Sequence, residues 1–291
     1  MSTKYRQLVT QTFAGSDDHR QRSEWVEVDE EADVLACNER FDRSCVQVRP
    51  LTMLGVDLAG DADVRSLSVL VNDDLRIELL SSSGSSESAH ETGDGWSEVH
   101  IQVGNRRTSR TTVGEFGLES SDLLVVPGGM SHESFDDEPS SRLIIRTRHP
   151  LKVAHGYPEG QPDTREEQGL IYLRPSAAAE AMDEGVSGGK HFELAGNDDI
   201  MIETTFRADD QRIYHKGYDQ DEVHFQLSGR RATRTSQGEY MLETGDMLVI
   251  PPGVTHRNIG GMPTIRMVLY TKKPLQVADE YTARLESAWG K

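Results

Sequence analysis

Several features that would define a class of protein are scarce in this sequence of 291 residues. Only two cysteines are present, Cys37 and Cys45, which excludes a disulfide framework and predicts a reducing, cytoplasmic location. No apolar run reaches the roughly 18 residues that a transmembrane helix needs. Residues 1–21 contain no apolar core of the secretory-signal type, so we expect no export.

Basic charge is also in deficit. The chain has 31 Lys and Arg residues against 49 Asp and Glu residues, a formal net charge of −18. Binding to a phosphate backbone rests on a Lys/Arg surface, and so does binding to an anionic membrane. We therefore predict neither a nucleic-acid partner nor a membrane partner, and we interpret the acidic surface as a source of solubility.

What the sequence does contain is one segment that occurs twice. Residues 98–132 and 222–256 align without a gap, and 18 of their 35 positions are identical. The match extends outward, because His90 returns 125 residues later as His215 and Pro150 returns 124 residues later as Pro274. A repeat of this length indicates two copies of one domain, which agrees with the chain length.

Short apolar runs broken by Gly, Asp, Ser and Pro fill the chain from about residue 46, for example LRIELL, EVHIQV and TIRMVLYT. Their length and β-branched content are typical of an all-β sandwich or barrel. The predicted organisation is an N-terminal arm with short helical pieces over 1–45, a barrel over 46–154, a linker over 155–170, a barrel over 171–280 and a C-terminal helix over 281–291.

Polar residues two apart recur in both copies. Residues at this spacing share one face of a strand, and the two sets are Glu98, His100, Gln102 and Glu222, His224, Gln226. The residues between them are apolar and pack on the other side. Polar side chains that point into a small barrel are costly unless something satisfies them.

Two further histidines flank each set. They are His90 and His132 in the first copy, and His215 and His256 in the second, so each half offers one glutamate and three histidines. Glutamate oxygen and histidine nitrogen are ordinary ligands of iron, manganese, zinc and nickel. We predict a metal site in each half. The alternative for any single histidine is a hydrogen-bonded core residue.

The spacing of these residues resembles the cupin superfamily. Its second motif, G-D-x(4)-P-x-G-x-x-H, is present at Gly245, Asp246, Pro251, Gly253 and His256. Its first motif, H-x-H-x(4)-E-x(6)-G, is matched by His215, Glu222 and Gly229, with Gly217 in place of the second histidine. In the first copy, Ser121 replaces the first glycine of the second motif, and Asn105 replaces the closing glycine of the first motif. The resemblance covers most of residues 46–280. It implies two tandem cupin barrels of the double-stranded β-helix (jelly-roll) type, with short helices at the termini.

The absence of the second histidine of the first motif distinguishes this sequence from oxalate oxidases and oxalate decarboxylases. A set of one histidine, one glutamate and one distal histidine instead resembles the ring-cleaving cupin dioxygenases, and the run from Tyr214 to Gly229 is most similar to the homogentisate and hydroquinone branch. The resemblance implies a dioxygenase of a small aromatic or enolic substrate. Fe(II) would be held by His215, Glu222 and His256, with the substrate and O2 as partners.

The resemblance leaves two roles open for His224, a fourth ligand or a catalytic acid/base. It implies that Gln102 and Gln226 orient the glutamate or the substrate. An alternative function is a non-redox isomerase, lyase or hydrolase that uses Mn, Zn or Ni as a Lewis acid. Another is a non-catalytic bicupin that binds a small molecule. Bicupins often dimerise, so we also expect a homodimer.

Overall fold

The structure is a computed structural model that describes residues 5–11, 22–28, 43–51, 64–83, 86–91, 95–136, 138–154, 157, 165–180, 189–211 and 213–289. Within these ranges strands dominate, which confirms the all-β prediction. Two helices have both their first and last residues within these ranges, α1 (Pro175–Glu180) and α2 (Asp279–Trp289). Most of the predicted linker, residues 155–156 and 158–164, lies outside the described residues.

Twenty-five strands lie within the described residues. In order they are β1 (Tyr5–Gln11), β2 (Arg22–Val28), β3 (Val46–Val48), β4 (Val64–Val71), β5 (Leu75–Ser82), β6 (Ser86–Glu91), β7 (Ser97–Gln102), β8 (Arg107–Thr111), β9 (Gly114–Leu118), β10 (Leu123–Val126), β11 (Ser131–Asp136), β12 (Ser140–Thr147), β13 (Lys152–Val153), β14 (Arg165–Glu167), β15 (Leu170–Leu173), β16 (Lys190–Gly196), β17 (Ile200–Arg207), β18 (Tyr214–Gly217), β19 (Asp221–Ser228), β20 (Arg231–Thr235), β21 (Gly238–Leu242), β22 (Met247–Ile250), β23 (His256–Ile259), β24 (Thr264–Thr271) and β25 (Gln276–Val277).

Two compact units contain these strands. The first unit comprises Arg49–Ala181, Glu193–Asn197 and Leu275–Lys291, and the second comprises Met1–Val48, Met182–Phe192 and Asp198–Pro274. Each unit therefore holds one copy of the repeat together with a segment from the other end of the chain. Strand β3 pairs with β22 in the second unit, and β25 pairs with β4 in the first.

Each unit is built from two sheets. In the first unit the strand orders are β14-β15-β10-β7-β12-β5-β4-β25 and β6-β11-β8-β9. In the second unit they are β17-β24-β19-β22-β3 and β2-β1-β18-β23-β20-β21. The predicted double-sheet architecture is thus present in both copies, and strands β7 and β19, which carry the polar sets, each have a neighbouring strand on both sides.

Equivalent residues of the two copies also pair with their neighbouring strands in the same register. Glu98 lies opposite Val126 on one neighbouring strand, and Glu222 lies opposite Ile250 on the equivalent strand. The two apolar cores use matching positions 124 residues apart: Leu118, Leu124, Val126 and Met130 in the first unit, and Leu242, Leu248, Ile250 and Val254 in the second. These side chains pack tightly because a pleated strand presents alternate residues to one face.

The described parts of residues 1–45 differ from the prediction. Short helical pieces were expected, but Tyr5–Gln11 and Arg22–Val28 are strands that pair with each other. Their sequences, YRQLVTQ and RSEWVEV, do not alternate strictly, but each contains aromatic and β-branched residues, which favour a strand. Strand β1 then adds in parallel to β18, with Leu8 opposite His215.

A strained turn residue gives a stability prediction. Ser121 has a φ of 76°, and the equivalent Gly245 has a φ of 89°. A left-handed backbone costs a residue with a side chain about 1 kcal/mol or more, and glycine avoids that cost. We expect Ser121→Gly to stabilise the protein by about 1 kcal/mol, measured by urea unfolding. Gly245→Ser is expected to act in the opposite direction, and a destabilising Ser121→Gly would contradict this account.

Candidate metal centres

In the second unit, one glutamate and three histidines meet from three strands. His215 lies on β18, Glu222 and His224 lie on β19, and His256 lies on β23. His215 and His256 are directly opposite in the pairing of their strands. The ligand atoms of all four residues lie within 4.8 Å of one another. The predicted convergence of this set is therefore present in the structure.

All three imidazoles point one nitrogen at the same carboxylate oxygen. The distances from Nε2 to Glu222 Oε1 are 2.6 Å for His224, 3.3 Å for His256 and 3.5 Å for His215. Glu222, His224 and His256 are buried. Among the described residues, no Lys or Arg nitrogen lies within 4.0 Å of the Glu222 carboxylate.

The hydrogen bond at Nδ1 of His256, the ring nitrogen that does not face Glu222, favours a tautomer that suits metal binding. Its Nδ1 lies 3.1 Å from the Val254 carbonyl oxygen, which can only accept a hydrogen bond. The neutral ring therefore carries its proton on Nδ1, and Nε2 presents a lone pair. Within the described part of the chain this buried Nε2 has no hydrogen-bond partner.

His224 has the opposite arrangement. Its Nδ1 lies 3.1 Å from Arg266 Nη1, and a guanidinium can only donate. The neutral His224 ring therefore carries its proton on Nε2 and donates it to Glu222 Oε1. In this tautomer His224 holds the carboxylate in place and offers no lone pair on Nε2.

Gln211 determines the tautomer of the third ring, that of His215. Its Nε2 lies 2.9 Å from His215 Nδ1, while its Oε1 accepts from the backbone nitrogen and the side-chain Nδ2 of Asn258, at 3.0 and 2.8 Å. Because a backbone N–H cannot be reversed, these bonds fix which end of the Gln211 amide faces His215. His215 Nδ1 accepts in this arrangement, so metal binding through Nε2 requires its proton to move to Nδ1.

Burial sets the charge of the site. Burial lowers the pKa of His215 to about 4, with His256 acting in the same direction and Glu222 opposing it. Burial and the Arg266 guanidinium hold the pKa of His224 well below its usual range. Burial raises the pKa of Glu222, but the three histidines lower it by more, so it lies well below its usual range. At neutral pH the His215 and His224 rings are thus neutral and Glu222 is ionised.

This donor set fits a divalent metal ion. A buried carboxylate with no cation in direct contact is costly, and a metal ion would supply a positive charge at that point. The orphaned lone pair on His256 Nε2 supplies a nitrogen ligand at the same point. Two histidines and one carboxylate on one side of a metal is the arrangement of non-haem Fe(II) oxygenases.

The first unit assembles a similar group with an added cation. The ligand atoms of Glu98, His100 and His132 lie within 4.8 Å of one another. Glu98 Oε2 lies 3.0 Å from His100 Nε2 and 3.7 Å from His132 Nε2. Arg146 Nη2 lies 3.3 Å from the other oxygen, Glu98 Oε1. The backbone of His90 pairs with that of His132, and the His90 side chain lies outside what the structure describes.

The two glutamines use their amide nitrogens elsewhere. Gln102 donates to the carbonyl of Asn105, and Gln226 donates to that of Ser228 at 2.6 Å. Gln102 Oε1 accepts from Arg107 Nε at 3.2 Å. The buried Gln226 Oε1 has no hydrogen-bond partner among the described residues. Both glutamines therefore anchor the following turn, and neither hydrogen bonds to its glutamate.

Several residues of the site escaped the sequence analysis. Arg266 and Gln211 contact the histidines from positions outside the aligned segment, and Arg146 and Tyr270 lie opposite the two glutamates. The 124-residue offset continues through these strands, since Arg142 and Arg266 are equivalent and both are buried. Extending the comparison of the two copies beyond His256 would have identified this pair.

Gly217, at the position of the second motif histidine, lies against the buried side-chain amide of Gln220. A Cβ at position 217 would collide with that amide, so a side chain there would require the end of Gln220 to move. The set of three histidines around Glu222 is completed by His224 instead.

Solved structures similar to this chain have the cupin fold. A cupin 2 conserved barrel domain protein from Leptotrichia buccalis matches with a TM-score of 0.55 and 12% identity, covering 81% of this chain and 100% of that one. A salicylate 1,2-dioxygenase from Pseudaminobacter salicylatoxidans matches with a TM-score of 0.57 and 12% identity, covering 87% of each chain. The same enzyme in adducts with gentisate matches with a TM-score of 0.57 and 12% identity, covering 89% of this chain and 86% of that one.

These likenesses show that the chain has the cupin fold, as the motif spacing predicted. No protein-family model matches the sequence, and no curated protein is detectably similar to it. Among the described residues, no helix has the length and apolar character needed to cross a membrane.

Proposed function

We propose that the second unit is an Fe(II)-dependent dioxygenase centre for a small aromatic or enolic substrate, with His215, Glu222 and His256 as the metal ligands. The observation that carries this proposal is the buried, ionised Glu222, which has three imidazoles around one oxygen and, among the described residues, no Lys or Arg nitrogen within 4.0 Å. The similarity in fold to a salicylate 1,2-dioxygenase supports the choice of reaction. Fe(II) held here would bring the substrate and O2 together at open coordination positions.

The protein's own residues would orient the substrate. Arg266 Nε and Gln226 Oε1 are buried and lack hydrogen-bond partners within the described ranges. They lie on strands β24 and β19, opposite each other in register, with Arg266 reaching His224. One is a donor and the other an acceptor, so together they suit a substrate with an ionised oxygen beside a hydroxyl. Hydroxybenzoates and diphenols have such groups.

Oxygen consumption tests this proposal. The protein is loaded with Fe(II) under nitrogen and then mixed with air-saturated gentisate, salicylate, hydroquinone or 3-hydroxyanthranilate in an oxygen electrode. We expect uptake with at least one of these compounds, equimolar with substrate loss, and none with His256→Ala. His132→Ala, the equivalent change in the first unit, is the matched control and should retain activity. Bound iron without oxygen uptake would contradict the proposal.

The proximity of His224 supports a second candidate. If His224 became a fourth ligand, the fuller coordination would leave less room for both O2 and a substrate, which favours Lewis-acid chemistry with Mn, Zn or Ni. Arg266 opposes this arrangement, because it keeps the proton of the neutral ring on Nε2. Retention of Mn, Zn or Ni in preference to iron would favour this second function.

Gln211 offers a change that should strengthen metal binding. In Gln211→Glu, one carboxylate oxygen can accept the hydrogen bonds from Asn258, while the other accepts a hydrogen bond from a proton on His215 Nδ1. That proton position leaves the Nε2 lone pair free for the metal, and such partners change metal affinity by about 10- to 100-fold. We expect tighter Fe(II) binding by about 10-fold in anaerobic calorimetry. Gln211→Leu, which offers no acceptor, should not bind more tightly than wild type.

A further inference from the structure

The two glutamates differ in the residue directly across the sheet. Glu98 on β7 lies opposite Arg146 on β12, and Glu222 on β19 lies opposite Tyr270 on β24. Arg146 and Tyr270 are separated by the 124 residues of the repeat, so they occupy one position of the fold in its two copies. At this position the copies have opposite electrostatic character, since one offers a permanent cation and the other a phenol.

Arg146 contacts the glutamate that would hold a metal. Its Nη2 lies 3.3 Å from Glu98 Oε1, and its Nε lies 3.6 Å from Glu78 Oε2. Glu98 is buried, the Arg146 side chain is 36% exposed, and its guanidinium is always protonated, so a fixed positive charge is in contact with a buried carboxylate. The negative charge of Glu98 is thereby balanced within the chain.

Tyr270, at the equivalent position of the second unit, is a hydrogen-bond donor and not a cation. Its hydroxyl donates to Glu203 Oε2 at 3.4 Å, and Glu203 is the repeat equivalent of Glu78. Burial raises the pKa of Tyr270 well above its usual range, so it stays a neutral phenol and contributes no cation. Among the described residues no Lys or Arg nitrogen is therefore in direct contact with Glu222, and Arg266 acts on it from beyond His224. The equivalent Arg142 also acts on Glu98, so the two units differ in the direct contact that Arg146 adds.

We infer that Arg146 is a built-in counter-ion that replaces the metal ion in the first unit, so that each chain holds one metal, in the second unit. This inference rests on the proposed metal site at Glu222. A divalent ion approaching Glu98 would meet a carboxylate that is already paired with Arg146, whose Nη2 lies 3.3 Å from Glu98 Oε1. The ion and the guanidinium are both positively charged and would repel each other. Repulsion of that kind disfavours metal binding at Glu98.

Exchanging the two residues tests the inference. Four proteins are compared after anaerobic loading with Fe(II) and desalting: wild type, Arg146→Tyr, Tyr270→Arg, and the double exchange. Metal per chain is measured by mass spectrometry, and affinity by calorimetry. We expect one metal in wild type, two in Arg146→Tyr, none in Tyr270→Arg, and one in the double exchange. In the double exchange, His132→Ala rather than His256→Ala should remove that metal.

Control variants separate charge from folding. Arg76→Tyr removes an exposed arginine that lies 3.8 Å from Glu78 and makes no ion pair with Glu98, so it should keep one metal. Arg146→Met removes the same charge as Arg146→Tyr without adding a hydroxyl, and it should also gain metal. Unfolding curves identify any variant that does not fold.

The outcomes distinguish this inference from the proposed function. A wild type with two metals, or one metal in both folded Arg146 variants, would overturn the counter-ion role. A wild type without metal would overturn the site at Glu222. In that case a gain of one metal in Arg146→Tyr would still support the counter-ion role, and no gain would refute it.

Discussion

Glu222→Gln is expected to lower the affinity for Fe(II) by roughly 100-fold to several thousand-fold. The amide has nearly the same shape, but it removes the only formal negative charge within the group of three histidines. Breaking a buried charge pair by removing one partner costs about 3–5 kcal/mol, and each 1.4 kcal/mol is a factor of ten in affinity. Anaerobic calorimetry with Fe(II) measures the change directly.

Glu98→Gln is the matched control for this prediction. It makes the same chemical change on the equivalent strand, where Arg146 already neutralises the carboxylate. We expect its Fe(II) affinity and its metal content to equal those of wild type. Equal losses in the two variants would mean that both units bind metal, and no loss in either would remove Glu222 from the ligand set.

The metal-free protein should lose stability as the pH falls from about 6.5 toward 4. The pKa of His215 is about 4 in the folded state against 6.5 in an unfolded chain. Between these values the unfolded state binds more protons, so stability decreases as the pH decreases. One group with this shift accounts for about 3 kcal/mol at the low end of the window, and the lowered pKa of His224 acts in the same direction.

Urea unfolding of the metal-free protein at several pH values checks this prediction. His215→Asn should flatten the dependence, because it removes one group that is neutral in the folded state and charged in the unfolded state. His149→Asn, at an exposed histidine, is the control and should leave the slope as in wild type. A stability that is constant from pH 6.5 to 4 in wild type would contradict the burial of His215 as a neutral ring.

The fold could be predicted because local patterns and the repeat agree with each other. Alternating residues in strands β7 and β19 place Glu, His and Gln on one face and apolar residues on the other, and in the structure both faces are buried. The N-terminal strands were missed because seven-residue strands in a charged region give a weak local signal. Their pairing depends on β18, a partner more than 200 residues away in sequence.

The candidate ligands could also be predicted, because two copies preserved the same Glu and His positions. Their individual roles could not, since proton positions depend on residues brought in from other strands. Gln211 and Arg266 select the tautomers of His215 and His224 through hydrogen bonds that no local motif reveals. The difference between the two units likewise depends on a cross-strand neighbour, Arg146 or Tyr270, that lies beyond the conserved motif.

The metal content of the intact protein tests the central claim most directly. Wild type, His256→Ala and His132→Ala are purified without chelators, loaded with Fe(II) under nitrogen, desalted, and analysed by mass spectrometry. A single metal centre at Glu222 predicts one iron per chain in wild type and in His132→Ala, and none in His256→Ala. Two irons per chain, reduced to one by either change, or no iron in any of the three proteins, would contradict it.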